Sequence, residues 1–424
     1  MRYIRPGLIV FAFQLASLSP LGAALSPDEQ KIAAWVDAQA GEFAPELEAT
    51  VRIDSHTENL AGVRQLGEHF VRQFAALGFD ARFVPQPAEI GRAGHFVAEH
   101  KGTQGRRVLL IGHLDTVFPG GEFRREGDTV HGSGVADMKG GDVIILMALR
   151  ALEATGALQD RQVIVVMTGD EEAAGQPTEI SRRELRDAAA RSDCALAFES
   201  AIGLTGTVAR RGSISWTLTV QGATGHSSGI FSPLMGDGAA YEMARILEGF
   251  REVARQLDGA TISPALITAG TTAELTRTGG SATGKKNIIP QRAVVLGDLR
   301  TVSAGQLAEA EKRMQEVVKA NLPRTSAELK FEESYPAMAA TPENYALLAQ
   351  LDAVSRDLGY GAITAFDPRG RGAGDIAFVS PPLPGLDGLG LDGPGQHTTN
   401  ESADLSRAPE LVKRAAILIY RLTR

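Results

Sequence analysis

The sequence predicts an α/β fold with a mostly parallel sheet and a smaller inserted α+β domain. Short, continuous apolar runs at 107–111, 162–167 and 195–198 alternate with helical patterns, as parallel strands covered by helices on both faces do. From residue 213 the chain instead reads SISWTLTVQG, the alternation of a half-exposed strand. The chain has 424 residues, 43% of them hydrophobic, which is enough for two or three domains with their own cores.

The first 24 residues are predicted to be a secretory signal peptide. Arg2 and Arg5 give a basic start, an apolar run follows at 8–18, and small residues at 22–24 offer a cleavage point. The alternative is an amphipathic first helix. The apolar run is too short for a comfortable membrane span and no later segment reaches membrane-spanning length, so we expect a secreted or periplasmic protein without membrane attachment after cleavage.

Charge and cysteine content limit the partners and the covalent cross-links. The net charge of −8 argues against general binding to nucleic acid, which needs clustered Lys and Arg. Cys194 is the only cysteine, so no intrachain disulfide can form, and we expect a free buried thiol.

The helical and strand patterns divide the rest of the chain into a main domain, 25–211 and 331–424, interrupted by an inserted domain, 212–330. Helices of the main domain are predicted at 28–40, 61–77, 143–152, 344–357 and 408–421. The inserted domain reads as strand 213–222, helix 238–255, strands 265–270 and 292–300, and helix 304–320. This β-α-β-β-α order is that of the ferredoxin-like arrangement.

Acidic and imidazole side chains follow the ends of the apolar strands of the main domain. The first strand ends in His113 and the third in Glu199, the second is followed by the acids at 170–172, and Asp137 lies in the Gly-rich loop GSGVADMKGG before a helix. Ligands of open α/β sheets bind outside the carboxyl ends of the strands. Imidazole with carboxylate suits Zn2+ and tolerates Co2+ or Mn2+, so this edge is predicted to bind divalent metal.

Each of these motifs taken singly has a simpler explanation. A lone His after a strand is more often structural, and DEE alone could be a solvated loop. The Gly-rich loop lacks the G-x-x-x-x-G-K-[ST] pattern of a phosphate cradle, which argues against nucleotide hydrolysis. The conjunction of all of them at strand ends is what favours a metal site.

GHLDTV, GSGVADMKGG, TGDEEAAG and FES, followed by DGPGQHTTNES, in this order resemble the zinc metallopeptidase family of glutamate carboxypeptidase, aminoacylase-1 and succinyl-diaminopimelate desuccinylase. The resemblance covers nearly the whole chain after residue 24 and is closest to glutamate carboxypeptidase-like members. It implies a di-zinc catalytic domain, a homodimer, and an inserted domain that serves dimerisation and acts as a lid. It also implies five metal ligands: a bridging Asp137, His113 and Glu199 on one ion, and Glu172 and His397 on the other.

Roles for Glu171 and His226 follow from the same resemblance, and a role for Asp115 follows from its spacing. Glu171 would be the general base, taking a proton from the attacking water and passing it to the leaving amine. Asp115, two residues after His113 on the same strand face, would hold the imidazole ring through its other N–H; a turn or cap role is the alternative. His226, in the loop QGATGHSSG, would reach the partner subunit's site and steady the oxyanion, although a lone loop His is usually inert.

Substrate carboxylate binding is implied for Asn287 and Arg300, with Arg210 as a weaker candidate, since Arg binds planar carboxylates bidentately. Arg300 could equally form a structural ion pair. Asp170 is expected to fix its turn, and Asp375 to organise the site without binding metal. The sequence does not explain why Arg369 and Arg371 precede Asp375.

The sequence therefore predicts a di-zinc metallopeptidase that releases a C-terminal amino acid, with glutamate as the candidate, from a peptide or N-acyl amino acid. An aminoacylase or dipeptidase with the same site is the alternative enzyme. A non-catalytic protein that binds acyl-amino acids is disfavoured because all five ligands and Glu171 are present.

Overall fold

The computed structural model describes residues 25–276 and 278–424, and the predicted signal peptide at 1–24 lies outside them. The helices are α1 Pro27–Ala38, α2 Phe43–Val51, α3 Leu60–Ala75, α4 Lys139–Ala154, α5 Thr178–Ser181, α6 Arg183–Ala189, α7 Gly238–Gln256, α8 Ala304–Lys319, α9 Pro342–Asp357 and α10 Ala408–Leu422. The strands are β1 Asp80–Pro85, β2 Gly94–His100, β3 Gln104–His113, β4 Arg124–Glu126, β5 Thr129–His131, β6 Arg161–Thr168, β7 Cys194–Ala197, β8 Thr205–Gly206, β9 Gly212–Gly222, β10 Thr261–Gly270, β11 Thr272–Leu275, β12 Gly280–Thr283, β13 Arg292–Thr301, β14 Thr325–Tyr335, β15 Thr364–Ala365, β16 Gly385–Leu386 and β17 Ser402–Asp404. None of the helices in these two ranges is long and apolar enough to cross a membrane.

The central sheet of the main domain has six strands in the order β1-β2-β6-β3-β7-β16. The strands β6, β3, β7 and β16 run parallel, whereas β2 pairs antiparallel with both β1 and β6. The α/β prediction is thus confirmed with a mixed sheet. The strands β1 and β2 were not predicted, because the run 80–100 carries charged and polar residues that break up its apolar pattern.

Both faces of this sheet are buried, which explains the continuous apolar runs in its strands. Along β3, Val108 and Leu110 belong to the core that α1 to α4 and α10 cover, while Leu109 and Ile111 point into the opposite core with Leu185 of α6. A strand buried on one face only would alternate apolar and polar residues. Because both faces of the sheet are packed, the strand ends that carry polar side chains are held in place at one edge of the sheet.

The inserted segment forms a second sheet in the order β10-β13-β9-β14, with antiparallel pairing throughout. Its element order, β9-α7-β10-β13-α8-β14, is the predicted ferredoxin-like one. Trp216 of β9 packs edge-on against Phe250 of α7, with ring centroids 5.4 Å apart, in a core of its own. The hairpin β11-β12 was not predicted. The dimerisation and lid roles of this segment stay predictions.

Cys194 begins β7 and is fully buried, and it forms no disulfide. Burial raises the pKa of its thiol to about 12, so the reactive thiolate is disfavoured at neutral pH.

Candidate metal centre

Three neighbouring parallel strands carry the candidate site at their carboxyl ends. In the order β6-β3-β7, His113 is the last residue of β3, Glu171 and Glu172 follow β6, and Glu199 follows β7. The neighbours are in parallel register, since Ile111 pairs with Val166 and with Ala197. The apolar sheet therefore brings together polar residues that lie 86 positions apart in the chain (113 to 199).

Asp137 places one carboxylate oxygen toward each of two imidazoles. Its Oδ1 lies 3.2 Å from Nε2 of His113, and its Oδ2 lies 3.3 Å from Nε2 of His397. A carboxylate that bridges two metal ions has the same division of its oxygens. The two imidazoles lower the pKa of Asp137, against the effect of burial.

A further acid completes each group. Oε1 of Glu199 lies 3.7 Å from Nε2 of His113, and Oε2 of Glu172 lies 3.3 Å from Nε2 of His397. The structure thus brings together all five predicted ligands in two groups that share Asp137. Burial raises the pKa of both glutamates, and the charge of the neighbouring Asp137 adds to the effect at Glu172.

Glu171 lies among the same groups. One of its oxygens falls within 4.8 Å of ligand atoms of both His113 and Glu199, so its position alone would allow it to bind metal. Burial and the charge of Glu199 raise its pKa well above the ordinary value. A raised carboxyl pKa suits a group that accepts and returns a proton near neutral pH.

Asp115 acts on two neighbours in addition to His113. Nδ1 of His113 lies 3.0 Å from the backbone oxygen of Asp115 and 3.5 Å from its Oδ1, so the closer contact is with the carbonyl. The Asp115 carboxylate accepts the backbone N–H groups of Glu171 and Glu172 at 2.9 and 3.0 Å, and Thr57 donates to it at 2.7 Å. Asp115 therefore fixes the turn that aims Glu171 and Glu172.

Glu401 binds the loop that carries Asp137, a role that was not predicted from the sequence. Its carboxylate accepts the backbone N–H groups of Gly134, Ala136 and Asp137, each at 2.8 Å. The quoted run DGPGQHTTNES contains Glu401, four residues after His397. One short segment thus carries a candidate ligand and anchors the loop of another.

A buried ionic network lies beneath the turn 170–172. Arg182 is fully buried, and its guanidinium donates to Oδ1 of Asp170 at 2.6 Å and to Oδ1 of Asp375 at 2.7 Å. Oδ2 of Asp170 accepts the N–H of Gly175 at 2.8 Å, which closes the turn as predicted. The hydroxyl of Tyr335, at the end of β14, donates to the carbonyl of Glu171. Asp375 organises the site, as expected, while Arg182 was missed because its partners are distant in sequence.

A cavity of about 480 Å³ opens onto these groups. It is lined by Asp137, Glu171, Glu172, Glu199, Ile202, Arg210, Ser213, Arg300, Tyr335, Gly370, Arg371, Gly372, Ala373, Gln396 and His397. Two predicted substrate-binding residues, Arg300 and Arg210, are therefore in its wall. Arg300 forms an ion pair with Asp298 at 2.7 Å, and Arg210 is buried in a pair with Asp387. Arg210 also lies 3.5 Å from Glu199, which makes it a support for that acid.

His226 and Asn287 lie elsewhere, on the inserted segment. Neither lines the cavity, and both are exposed. The carbonyl of Asn287 accepts the N–H of Ser227 at 2.9 Å, and Nδ1 of His226 lies 2.7 Å from the Ser228 hydroxyl. The structure brings these two residues near each other and leaves them apart from the metal ligands of their own chain.

The sequence family agrees with this geometry. The model of peptidase family M20/M25/M40 matches residues 109–421, more than half of the chain. This chain belongs to peptidase family M20/M25/M40. It is therefore a hydrolase of the metallopeptidase class, and the matched range contains every predicted ligand.

Relatives of this M20 peptidase include enzymes with different printed activities. It is 26% identical to carboxypeptidase G2 of Pseudomonas sp. (strain RS-16) over 386 residues, 89% of this chain and 88% of that protein. It is 27% identical to the succinyl-diaminopimelate desuccinylase of Gluconobacter oxydans over 361 residues, 80% of this chain and 87% of that protein. The family is thus clear, and the substrate differs among its members.

Solved structures confirm the fold of this M20 peptidase. A tripeptidase from Staphylococcus aureus superposes with a TM-score of 0.74 at 19% identity, over 91% of this chain and 99% of its own. The YxeP protein of Bacillus subtilis, described as a dinuclear metal binding peptidase from the M20 family, gives a TM-score of 0.60 at 15% identity over 91% and 99%.

Proposed function

We propose that this M20 peptidase is a di-zinc amidohydrolase that releases a C-terminal amino acid from a small peptide or an N-acyl amino acid. The observation that carries the proposal is the position of Asp137. Its two oxygens face two separate His–acid groups, at 3.2 Å from His113 and 3.3 Å from His397. Two-metal hydrolases hold their ions roughly 3.5–4 Å apart, a separation that one bridging carboxylate can span.

The donor set fits zinc. Two imidazoles and three carboxylates would hold the two ions: Asp137 between them, His113 and Glu199 on one, Glu172 and His397 on the other. The three carboxylates offset most of the charge of two divalent cations. Burying the cations and the carboxylates together therefore costs less free energy than burying one without the other. Bound zinc would act as a Lewis acid toward the scissile carbonyl and would lower the pKa of water. Co2+ and Mn2+ accept the same donors.

Glu171 then moves the proton. It follows β6 directly beside Glu172, and the N–H bonds to Asp115 hold the backbone of both residues. In the proposed reaction its carboxylate accepts a proton from the attacking water and later donates one to the leaving amine. The bond from the Tyr335 hydroxyl, at the end of β14 in the second sheet, to the Glu171 carbonyl holds the same residue.

Arg300 is the proposed contact for the carboxylate of the released amino acid, because it lines the cavity and its side chain remains 34% exposed. An aminoacylase or a dipeptidase would use the same metal groups and the same base. Turnover of a matched panel of N-acyl amino acids and dipeptides, with Zn2+ added and products identified by mass spectrometry, tests the reaction and shows whether the enzyme cleaves N-acyl amino acids, dipeptides or both. We expect cleavage of an amide next to a free C-terminal amino acid; a panel left intact by the zinc-loaded protein would reject the proposed reaction.

His226 is proposed to act across a homodimer, since it is exposed and lies outside the cavity of its own chain. Subunits carrying His226→Ala lack that group but keep Glu171, and subunits carrying Glu171→Gln keep His226. Each homodimer should be nearly inactive, while the mixed dimer should recover part of the wild-type turnover through one intact composite site. Purified, confirmed heterodimers without recovered activity would show that His226 does not work across the interface.

A further inference from the structure

Arg371 is a buried guanidinium in the wall of the active-site cavity with no acid bonded to it. Only 7% of the residue is exposed. Its Nε donates to the hydroxyl of Thr207 at 3.0 Å, and its Nη2 donates to the carbonyl of Ser200 at 2.5 Å. Both acceptors are uncharged, and within the described ranges 25–276 and 278–424 the side chain forms no ion pair. By contrast, Arg369 lies at the surface and pairs with Asp367 at 2.7 Å.

The acids nearest to Arg371 are already engaged. Asp387 accepts from Nε of Arg210, and Glu199 lies 3.5 Å from Nη2 of Arg210. A guanidinium has five N–H donors, of which the bonds to Thr207 and Ser200 use two. A buried charge without a counter-ion is costly, so its retention in a cavity wall calls for an anionic partner.

Two further guanidiniums lie against the same loop. Nη1 of Arg210 donates to the carbonyl of Gly372 at 3.3 Å, and a Cβ added to Gly372 would lie 3.9 Å from Nη1 of Arg300. Burial and the charge of Arg210 lower the pKa of Arg371, which reflects this crowding of positive charge. Three guanidiniums, those of Arg210, Arg300 and Arg371, are therefore in the wall of the cavity, and those of Arg210 and Arg300 are paired with acids.

We propose that Arg371 binds a second carboxylate of the substrate, so that the preferred substrate carries two carboxylates. The inference rests on the proposed amidohydrolase function, in which Arg300 takes the carboxylate at the free C-terminus. A guanidinium fork matches a planar carboxylate bidentately, and such charge-assisted bonds are the stronger ones. The second carboxylate belongs either to the side chain of the released amino acid or to the acyl group.

Calorimetry on the zinc-loaded protein tests binding without turnover. Glutarate and pentanoate have equal length and differ by one carboxylate. Wild type should prefer glutarate, and Arg371→Gln, which keeps a donor for the Ser200 carbonyl, should bind glutarate about tenfold more weakly with pentanoate little changed, because a hydrogen bond to a charged group contributes at about that level. Arg369→Gln is the matched control and should behave as wild type.

Arg371→Met provides a second variant, and thermal melting shows which variants are folded. A folded Arg371→Gln or Arg371→Met protein that keeps the wild-type preference for glutarate would overturn the proposal. So would a wild-type protein that binds both acids equally.

Turnover then identifies the source of the second carboxylate. N-acetylglutamate carries it on the amino acid, N-glutarylalanine carries it on the acyl group, and N-acetylalanine lacks it. Arg371→Gln should raise KM for one dianionic compound and leave KM for N-acetylalanine unchanged; an equal rise for all three would refute a specificity role. Absence of any turnover would reject the proposed reaction and leave the calorimetric result standing.

Discussion

Glu171→Gln should keep its zinc and lose turnover by roughly 10²- to 10⁴-fold, the range typical of a lost general base. Glutamine preserves the shape of the side chain and cannot accept the proton. The backbone N–H of residue 171 still donates to Asp115, so the turn that carries Glu172 should be retained. Measurement of kcat together with zinc content by elemental analysis checks both halves of this expectation.

The zinc content matters because Glu171 lies within reach of His113 and Glu199. If Glu171 were a ligand, the variant would lose metal along with activity, and its role as base would have to be withdrawn. Near-normal turnover with full zinc would contradict it equally. Glu179→Gln, on the exposed surface of α5, makes the same charge change outside the cavity and should leave both quantities unaltered.

Asp137→Ala should reduce bound zinc from two ions per subunit to one or fewer. The two oxygens of Asp137 face the two His–acid groups, so its removal is expected to weaken the binding of both ions at once. Elemental analysis after exhaustive dialysis measures the effect.

The loop itself should survive this substitution, because Glu401 binds the backbone N–H of residue 137 and not its side chain. Asp128→Ala, at an exposed acid in the same part of the chain, serves as the control and should retain both ions. Two full equivalents of zinc in Asp137→Ala would show that the carboxylate does not bridge the ions.

Much of this fold could be predicted from the sequence because its elements are locally consistent. The predicted helix at 238–255 is α7 Gly238–Gln256, and the predicted final helix at 408–421 is α10 Ala408–Leu422. The β-α-β-β-α order of the inserted segment was also correct. The strands β1 and β2 were missed, since an edge position leaves β1 with a mixed, partly exposed pattern.

The candidate ligands could be found for a related reason. A buried strand of a parallel sheet reads as an apolar run, so a His or an acid at its end stands out against that run. The motifs around His113, Glu172 and Glu199 have this form, whereas Asp137 lies in a Gly-rich loop before a helix. No single motif predicts that the ligands come together in two groups, because this depends on the register of β6, β3 and β7.

The sequence was enough to predict the α/β class, the ferredoxin-like order of the inserted segment, and the residues that we propose to bind metal and move a proton. The three-dimensional structure was needed to show which oxygen of Asp137 faces which imidazole and that Glu401 and Arg182 support the site. It was also needed to show that Arg371 lies buried in the cavity wall and forms no ion pair within the described ranges. The physical reason is the distance along the chain over which each feature is set. Hydrophobic periodicity and strand ends depend on neighbouring residues. A contact such as that of Arg182 with Asp375, 193 positions away, forms only when distant segments pack together.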